Sequence, residues 1–157
     1  MASSITAYPG HYVEDVQLSN VDLTNMGSGT LSEAEIKLPE NPGAYPENRM
    51  YGQVYPTHGL FIRHVKGLKI DQLKLKVQNP DHRPAIWLDD VFDSVLNKVY
   101  IQASLAGAAI NIRNSKNIRI NYPILDPAGA NLIQTNGTSQ NDISITGWQV
   151  NPVVNKH

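Results

Sequence analysis

The stretch Leu68–Leu75, LKIDQLKL, places apolar residues at its first, third, sixth and eighth positions. The same four positions recur at steps of 52, 26, 24 and 25 residues, counted from Val16. The corresponding stretches are VQLSNVDL (16–23), SVLNKVYI (94–101), IRINYPIL (118–125) and ISITGWQV (143–150). A fixed period of roughly 20–50 residues is typical of stacked coils or repeats.

The spacing within each stretch is that of β-strands. Apolar residues two apart point to the same face of an extended strand, and mostly polar turn formers separate the two pairs. In the middle coils a further strand precedes these two, at 60–62, 86–88 and 110–112. Three short strands in a coil of about 25 residues predict an all-β fold, a short right-handed parallel β-helix of about five coils. Leucine-rich horseshoes share the period, but many need a helical segment in each repeat and none is visible.

The step of 52 residues indicates an insertion in the first coil. Residues 26–58 show no period and contain four of the ten prolines. We therefore predict a single domain over 1–157, with a long loop insertion over 26–58. Residues 31–36 have the pattern of one helical turn inside this long loop.

The composition, with 41% hydrophobic and 17% charged residues, argues for an ordered chain. The net charge of −1 gives no field that would attract nucleic acid, and no apolar run reaches the roughly 20 residues of a membrane helix. Neither nucleic acid nor membrane is expected as a partner. The chain has no cysteine, phosphate loop or zinc-ligand spacing, so no cofactor or metal is expected.

Four phrases resemble the C-terminal coils of glycoside hydrolase family 28, the polygalacturonase-type pectin hydrolases. They are YPGHYVEDV (8–16), AYPENRMYG (44–52), HGLFIRHVKGL (58–68) and RPAIWLDDV (83–91). The resemblance covers about residues 8–101, and it implies the fold and ancestry of a pectin hydrolase. It also implies a secreted or periplasmic location, although the start of the chain lacks a signal-peptide pattern. The Asn-Thr-Asp and Gly-His-Gly catalytic segments of the family are absent, so the resemblance does not imply hydrolytic activity.

Asp89 and Asp90 are weak catalytic candidates, because a pair of carboxylates catalyses inverting glycoside hydrolysis. Neighbours in a strand point to opposite faces, so the two do not automatically converge on one bond. Counting by the repeat places Asp89 between Arg63 and Arg113, which favours an exposed salt-bridge column. With Asp93 the two aspartates would form an acidic cluster suited to calcium, but other ligands are not evident.

Phe61, Trp87 and Asn111 form the neighbouring outward column by the same count. Outward aromatic side chains can stack on sugar rings or lie beneath the long loop. The second interpretation is favoured, because a loop of this length must bury something.

The long loop and its neighbours also supply side chains that suit a uronic acid. Arginine binds carboxylates bidentately, and tyrosine both stacks and hydrogen-bonds. We predict a substrate-binding set made of Arg49, Tyr51, His58, Arg63, His82 and Arg83. The alternative is a loop pinned to the wall of the helix by its own aromatic residues.

The leading hypothesis for function is a truncated polygalacturonase-like β-helix without catalysis of its own. It would serve as the C-terminal part of a larger enzyme or as a scaffold that contacts an acidic polysaccharide. The alternatives are a self-sufficient glycoside hydrolase using Asp89, Asp90 or Glu47, and an oligomerising structural module. The first coil has an uncovered edge of backbone groups, so we expect a homo-oligomer or upstream coils to cover it.

Overall fold

The structure, a computed structural model, describes residues 2–44, 51–52 and 54–148. Within these residues eleven strands form one sheet, and all of their pairings are parallel. The strands are β1 (Ser3–Thr6), β2 (Val13–Glu14), β3 (Gln17–Asn25), β4 (Leu60–Lys66), β5 (Lys69–Val77), β6 (Ile86–Gln102), β7 (Ala108–Arg113), β8 (Lys116–Asn121), β9 (Ile124–Asp126), β10 (Asn131–Asn136) and β11 (Ile143–Thr146). The described helical elements are a one-turn helix α1 (Leu31–Ala34) and short 3-10 turns at Pro42–Ala44 and Gln140–Asp142.

Two ladders of strands run through the molecule in the register that the sequence predicts. One ladder is β1, β4, β6, β7 and β10, and the other is β3, β5, β6, β8 and β11. In the second ladder one residue of each strand lies directly over the next, in the order Leu18, Ile70, Leu96, Ile120 and Ile145. The predicted parallel β-solenoid is therefore confirmed.

The number of turns is smaller than predicted, at about three. Three inner coils have a hydrogen-bonded coil on both sides: β4–β5, β6, and β7–β9. The sequence period also counts the rungs at the two ends, and the described strands of those rungs pair on one side only.

The core consists of several stacked columns of apolar side chains that run along the axis of the solenoid. Ile70, Leu96 and Ile120 are 2%, 0% and 0% exposed, and their counterparts in the end rungs are half-buried. Ser94 is the polar member of one column, and it is fully buried. Its hydroxyl donates to the carbonyl of Phe92 at 2.7 Å and accepts from the amide of Leu68 at 3.2 Å, so its burial leaves no unpaired polar group.

The chain turns at the same three places in successive coils. Residues there have left-handed backbone angles, which short polar residues and glycine adopt most readily. The three corner columns are His64, Asp90, Asn114, Gly137; Asp15, Gly67, Asp93, Asn117; and Asn20, Gln72, Lys98, Tyr122, Gly147. A Cβ atom on Gly137 would lie 2.3 Å from Oδ1 of Asn114, so a side chain at this position would displace the Asn114 amide group.

The segment between β3 and β4 contains no strand in its described part. α1 begins after Thr30, whose hydroxyl accepts from the amide of Glu33 while the Glu33 carboxylate accepts from the amide of Thr30. This capping box explains why the predicted helical turn forms within such a short stretch.

Candidate functional site

The long loop packs its aromatic residues on the outer face of β4 and β6. Phe61 is fully buried there, and Trp87 is 9% exposed. The ring centroids of Tyr51 and Tyr55 lie 5.6 and 5.4 Å from that of Phe61, in tilted and edge-on geometry. Such pairs are favourable beyond the area they bury. The interpretation that the outward aromatic column lies beneath the loop is confirmed.

The predicted column of alternating charges is present, but two of its three members, Arg63 and Asp89, are buried rather than exposed. Arg63 donates to Oδ2 of Asp89 through Nε at 3.0 Å and through a terminal nitrogen at 2.8 Å. The two residues are only 3% and 6% exposed, because the long loop covers them. The guanidinium of Arg63 also donates to the carbonyls of Leu38 at 3.2 Å and Pro39 at 3.3 Å. Asp89 therefore holds the Arg63 side chain, which in turn fastens the loop to the wall, a role that sequence spacing alone could not show.

A histidine makes a second contact with the same part of the loop. Nε2 of His64 lies 2.9 Å from Oε2 of Glu40, and Nδ1 lies 2.6 Å from Oδ2 of Asp90. Each of the two ring nitrogens therefore faces a carboxylate oxygen. Asp89 and Asp90, the candidate catalytic residues, each face a basic partner of their own.

A separate clasp holds both ends of the loop at the start of β6. The Arg83 side chain donates to both carboxylate oxygens of Asp81, at 3.0 and 2.7 Å, and to the carbonyl of Tyr55 at 3.3 Å. The amide of Gly29 donates to the same carboxylate at 2.9 Å. Burial opposes ionisation of Asp81, but the hydrogen bonds from Arg83 and Gly29 prevail and hold its pKa below the usual range. A Cβ on Gly29 would lie 2.0 Å from Nε of Arg83, so the clasp needs glycine there.

His58 lies beside this clasp and is 3% exposed. Burial lowers its pKa to about 4, because the surroundings disfavour the charged ring. Its Nδ1 atom has no hydrogen-bond partner among the described residues. His58 is therefore a neutral, structural side chain at neutral pH.

A cleft of about 310 Å³ opens between the long loop and the wall of the solenoid. Its floor consists of outward side chains from consecutive rungs: Trp87, Asn111 and Gln134 in one column, and Arg113 and Asn136 in the next. One side is formed by α1 and the residues after it, and the other by the turns that precede β6 and β7. These side walls contain Leu31, Ala34, Glu35, Ile36, Lys37, His82, Pro84 and Ala106–Ala108.

The floor of this cleft is mostly polar, and the charged residues of its lining give it a basic balance. Asn111, Gln134 and Asn136 offer both donors and acceptors through their amides. Lys37, His82 and Arg113 are basic, and Glu35 is the one acidic residue in the lining among the described residues. The Arg113 side chain is 36% exposed, and its Nε lies 3.9 Å from Oδ1 of Asp89, beyond hydrogen-bond range. The cleft can therefore accept a polar ligand that carries negative charge.

The predicted substrate-binding residues do not come together. His82 lines the cleft, and Arg83 is engaged by Asp81. Tyr51, His58 and Arg63 are buried between the loop and the wall. Arg49 lies outside the described residues, as does Glu47.

Sequence reasoning missed Gln134 and Asn136 as cleft residues. Continuing the repeat count by 23 residues from Asn111 and Arg113 reaches both of them. The signal was therefore available: outward positions that are aromatic or charged in the middle coils become amides in the last ones.

Comparisons of the chain with family models, with curated proteins and with solved structures find no match. In the described part of the chain, no helix has the length and apolar character needed to cross a membrane. The described residues also contain no group of three or more metal-ligating side chains. The carboxylate of Asp93 accepts a hydrogen bond from the side-chain amide of Asn117 at 2.7 Å. The fold defines the chain as a parallel β-solenoid.

Proposed function

We propose that this chain is a non-catalytic β-solenoid that binds a segment of acidic polysaccharide in the cleft between the long loop and the wall. It would act as the C-terminal part or the scaffold of a polygalacturonase-like glycoside hydrolase, as the sequence resemblance suggests. The observation that supports the proposal is the lining of the cleft, where three amides and three basic side chains surround an aromatic floor residue.

The chemistry of a uronic acid matches this lining. Its carboxylate is an acceptor for the guanidinium of Arg113, which can donate two parallel hydrogen bonds. Its hydroxyl groups both donate and accept, as do the amides of Asn111, Gln134 and Asn136. Trp87 lies beneath the loop and is only 9% exposed, so the polar side chains rather than stacking would carry the binding.

The absence of a carboxylate pair from the described lining favours binding without turnover. Inverting hydrolysis needs an acid and a base on opposite sides of one glycosidic bond. Asp89 and Asp90 instead hold Arg63 and His64, and neither lines the cleft. This arrangement argues against the self-sufficient hydrolase.

The test is a titration of the chain with oligogalacturonate, followed by calorimetry and by amide NMR shifts. We expect binding that weakens with salt and shifts the amides of Asn111 and Gln134. Arg113→Gln should weaken binding by roughly tenfold or more, since hydrogen bonds to charged groups contribute about 1.5–3 kcal/mol. Arg119→Gln, on an exposed position of β8 away from the cleft, is the matched control.

Equal affinity in the Arg113 and Arg119 variants would contradict the proposal, as would binding that is no tighter than that of a neutral oligosaccharide. Release of reducing ends during the titration would instead support the hydrolase alternative.

A further inference from the structure

The N-terminal end of the solenoid presents an unpaired strand edge. β1 pairs with β4 and β3 pairs with β5, and in the described structure neither has a neighbour on its other side. β3 is nine residues long, which is a long edge for exposed backbone donors and acceptors. Natural sheets cover, shorten or twist such edges, since an open one invites pairing with another chain.

The interior of this end is open as well. Val16, Leu18, Val21 and Leu23 point into the core and are half-buried. Their counterparts in the next coil, Leu68, Ile70, Leu73 and Leu75, are at most 2% exposed. One more rung below β3 would bury the first four to the same degree.

The charges of the first two coils indicate which charges an added rung should carry on its outward side chains. Residues 2–36 contain no lysine or arginine, and the coil exposes Glu14, Asp15 and Asp22. The coil stacked on it is basic, with Lys66, Lys69, Lys74 and Lys76. Glu14 lies opposite Lys66 and Asp22 opposite Lys74, and Nζ of Lys76 lies 2.9 Å from Asp22. Opposite charges across adjacent strands stabilise their pairing, and like charges destabilise it.

A second copy of the chain does not meet this requirement. Residues 120–148, which form the other end, contain no lysine or arginine but do contain Asp126 and Asp142. Head-to-tail stacking would therefore place the acidic edge on a neutral-to-acidic end. Pairing of two N-terminal edges would bring acidic residues against acidic ones.

We propose that the N-terminal edge is a docking site for a basic, extended segment of a partner polypeptide. The segment adds below β3 as a parallel rung, with alternate apolar side chains entering the core and lysine or arginine facing outward. Strand addition of this kind draws affinity from backbone hydrogen bonds and specificity from the alternating side chains. This site does not involve the cleft, and it concerns the scaffold form of the proposed function, in which the rung comes from a separate chain, so the two proposals can fail separately.

A labelled peptide with the sequence of residues 68–77, LKIDQLKLKV, is the probe, because it has the alternation of apolar residues and lysines that stacks on the other edge of β3 in the fold. The matched control is LEIDQLELEV, in which the three lysines become glutamates. Fluorescence anisotropy with the full chain should show saturable binding of the first peptide, at least tenfold tighter than that of the second. Asp22→Lys should reverse this preference, and Ser144→Lys at the opposite end should leave it unchanged.

Circular dichroism shows whether the Asp22 variant folds. If it does not fold, the two peptides on the unaltered chain, with the salt dependence of their binding, still decide the matter. Equal binding of both peptides, or saturable binding of neither, would overturn the proposal. So would sedimentation showing a discrete dimer whose formation protects the amides of β3 from hydrogen exchange.

Discussion

Replacing Asp89 with asparagine removes the negative charge that faces Arg63, whose side chain is buried at 4% exposure. Taking one partner from a buried ion pair costs about 3–5 kcal/mol, because the remaining charge has lost its compensation. The carbonyls of Leu38 and Pro39 still accept from the guanidinium, and Glu40 stays 3.6 Å away. We therefore expect the lower end of the range, about 3 kcal/mol.

The matched control is Asp22→Asn, which breaks an ion pair with Lys76. The two side chains are 50% and 40% exposed, so the expected loss is only about 0.2–1 kcal/mol. Urea unfolding followed by tryptophan fluorescence measures both variants. Limited proteolysis between β3 and β4 should also accelerate in the Asp89 variant only, because Asp89 positions the Arg63 side chain that contacts the long loop.

A double variant separates the charge effect from packing. In Arg63→Met with Asp89→Leu no buried charge is left unpaired, since the other partners, Arg113 and Glu40, are 36% and 45% exposed. Such apolar replacements of buried pairs are often neutral or stabilising. Most of the lost stability should therefore return. A loss in Asp89→Asn no larger than in Asp22→Asn, with unchanged proteolysis, would refute the role assigned to the ion pair.

Three further outcomes test the core, a buried histidine and a corner. Leu96→Ala should lower the free energy of unfolding by about 2–5 kcal/mol, because Leu96 is fully buried in the middle of its core column. A loss below about 1 kcal/mol would contradict this. The pKa of His58 is about 4 in the folded chain, against 6.5 for a fully solvated histidine, so the unfolded chain binds more protons between these values. The contribution of neutral His58 to the free energy of unfolding should be fully present above pH 6.5 and should fall by roughly 3 kcal/mol on acidification to pH 4. His58→Gln should flatten the dependence of the urea midpoint on pH in this range. Gly137→Ala should destabilise the chain by more than about 1 kcal/mol in thermal melts, because of its positive φ and the contact with Asn114, whereas Gly43→Ala, at an open position, should not.

The coil stacking could be predicted because the residues of one interior column appear in the sequence as apolar residues at a nearly constant spacing. Leu18, Ile70, Leu96, Ile120 and Ile145 repeat the same environment, so the period alone gives the register. The number of full turns was overestimated, since a periodic pattern does not show that end rungs pair on one side only.

The cleft could not be predicted, because it depends on where a non-periodic loop lies. The contacts of Arg63 with Leu38 and Pro39 join the wall to a segment that has no repeat to align. Arginine and tyrosine in and beside that segment suggested ligand binding, but Arg63 on β4 and Tyr51 in the loop instead contact each other and hold the loop in place. Amides in the last coils, which attracted no attention in the sequence, line the open space instead.

Cysteine pairs test the stacking most directly, because the chain contains no native cysteine. Val95 and Arg119 lie opposite each other on adjacent rungs, both outside the core. Adjacent strands lie about 4.8 Å apart, which is within the Cα separation that a disulfide accepts. Under mild oxidation Val95→Cys with Arg119→Cys should form an intramolecular disulfide rapidly, and Val95→Cys with Asn121→Cys, displaced by two residues, should form it far more slowly. Equal rates for the two pairs would contradict the stacked, in-register solenoid on which the cleft and the docking edge both depend.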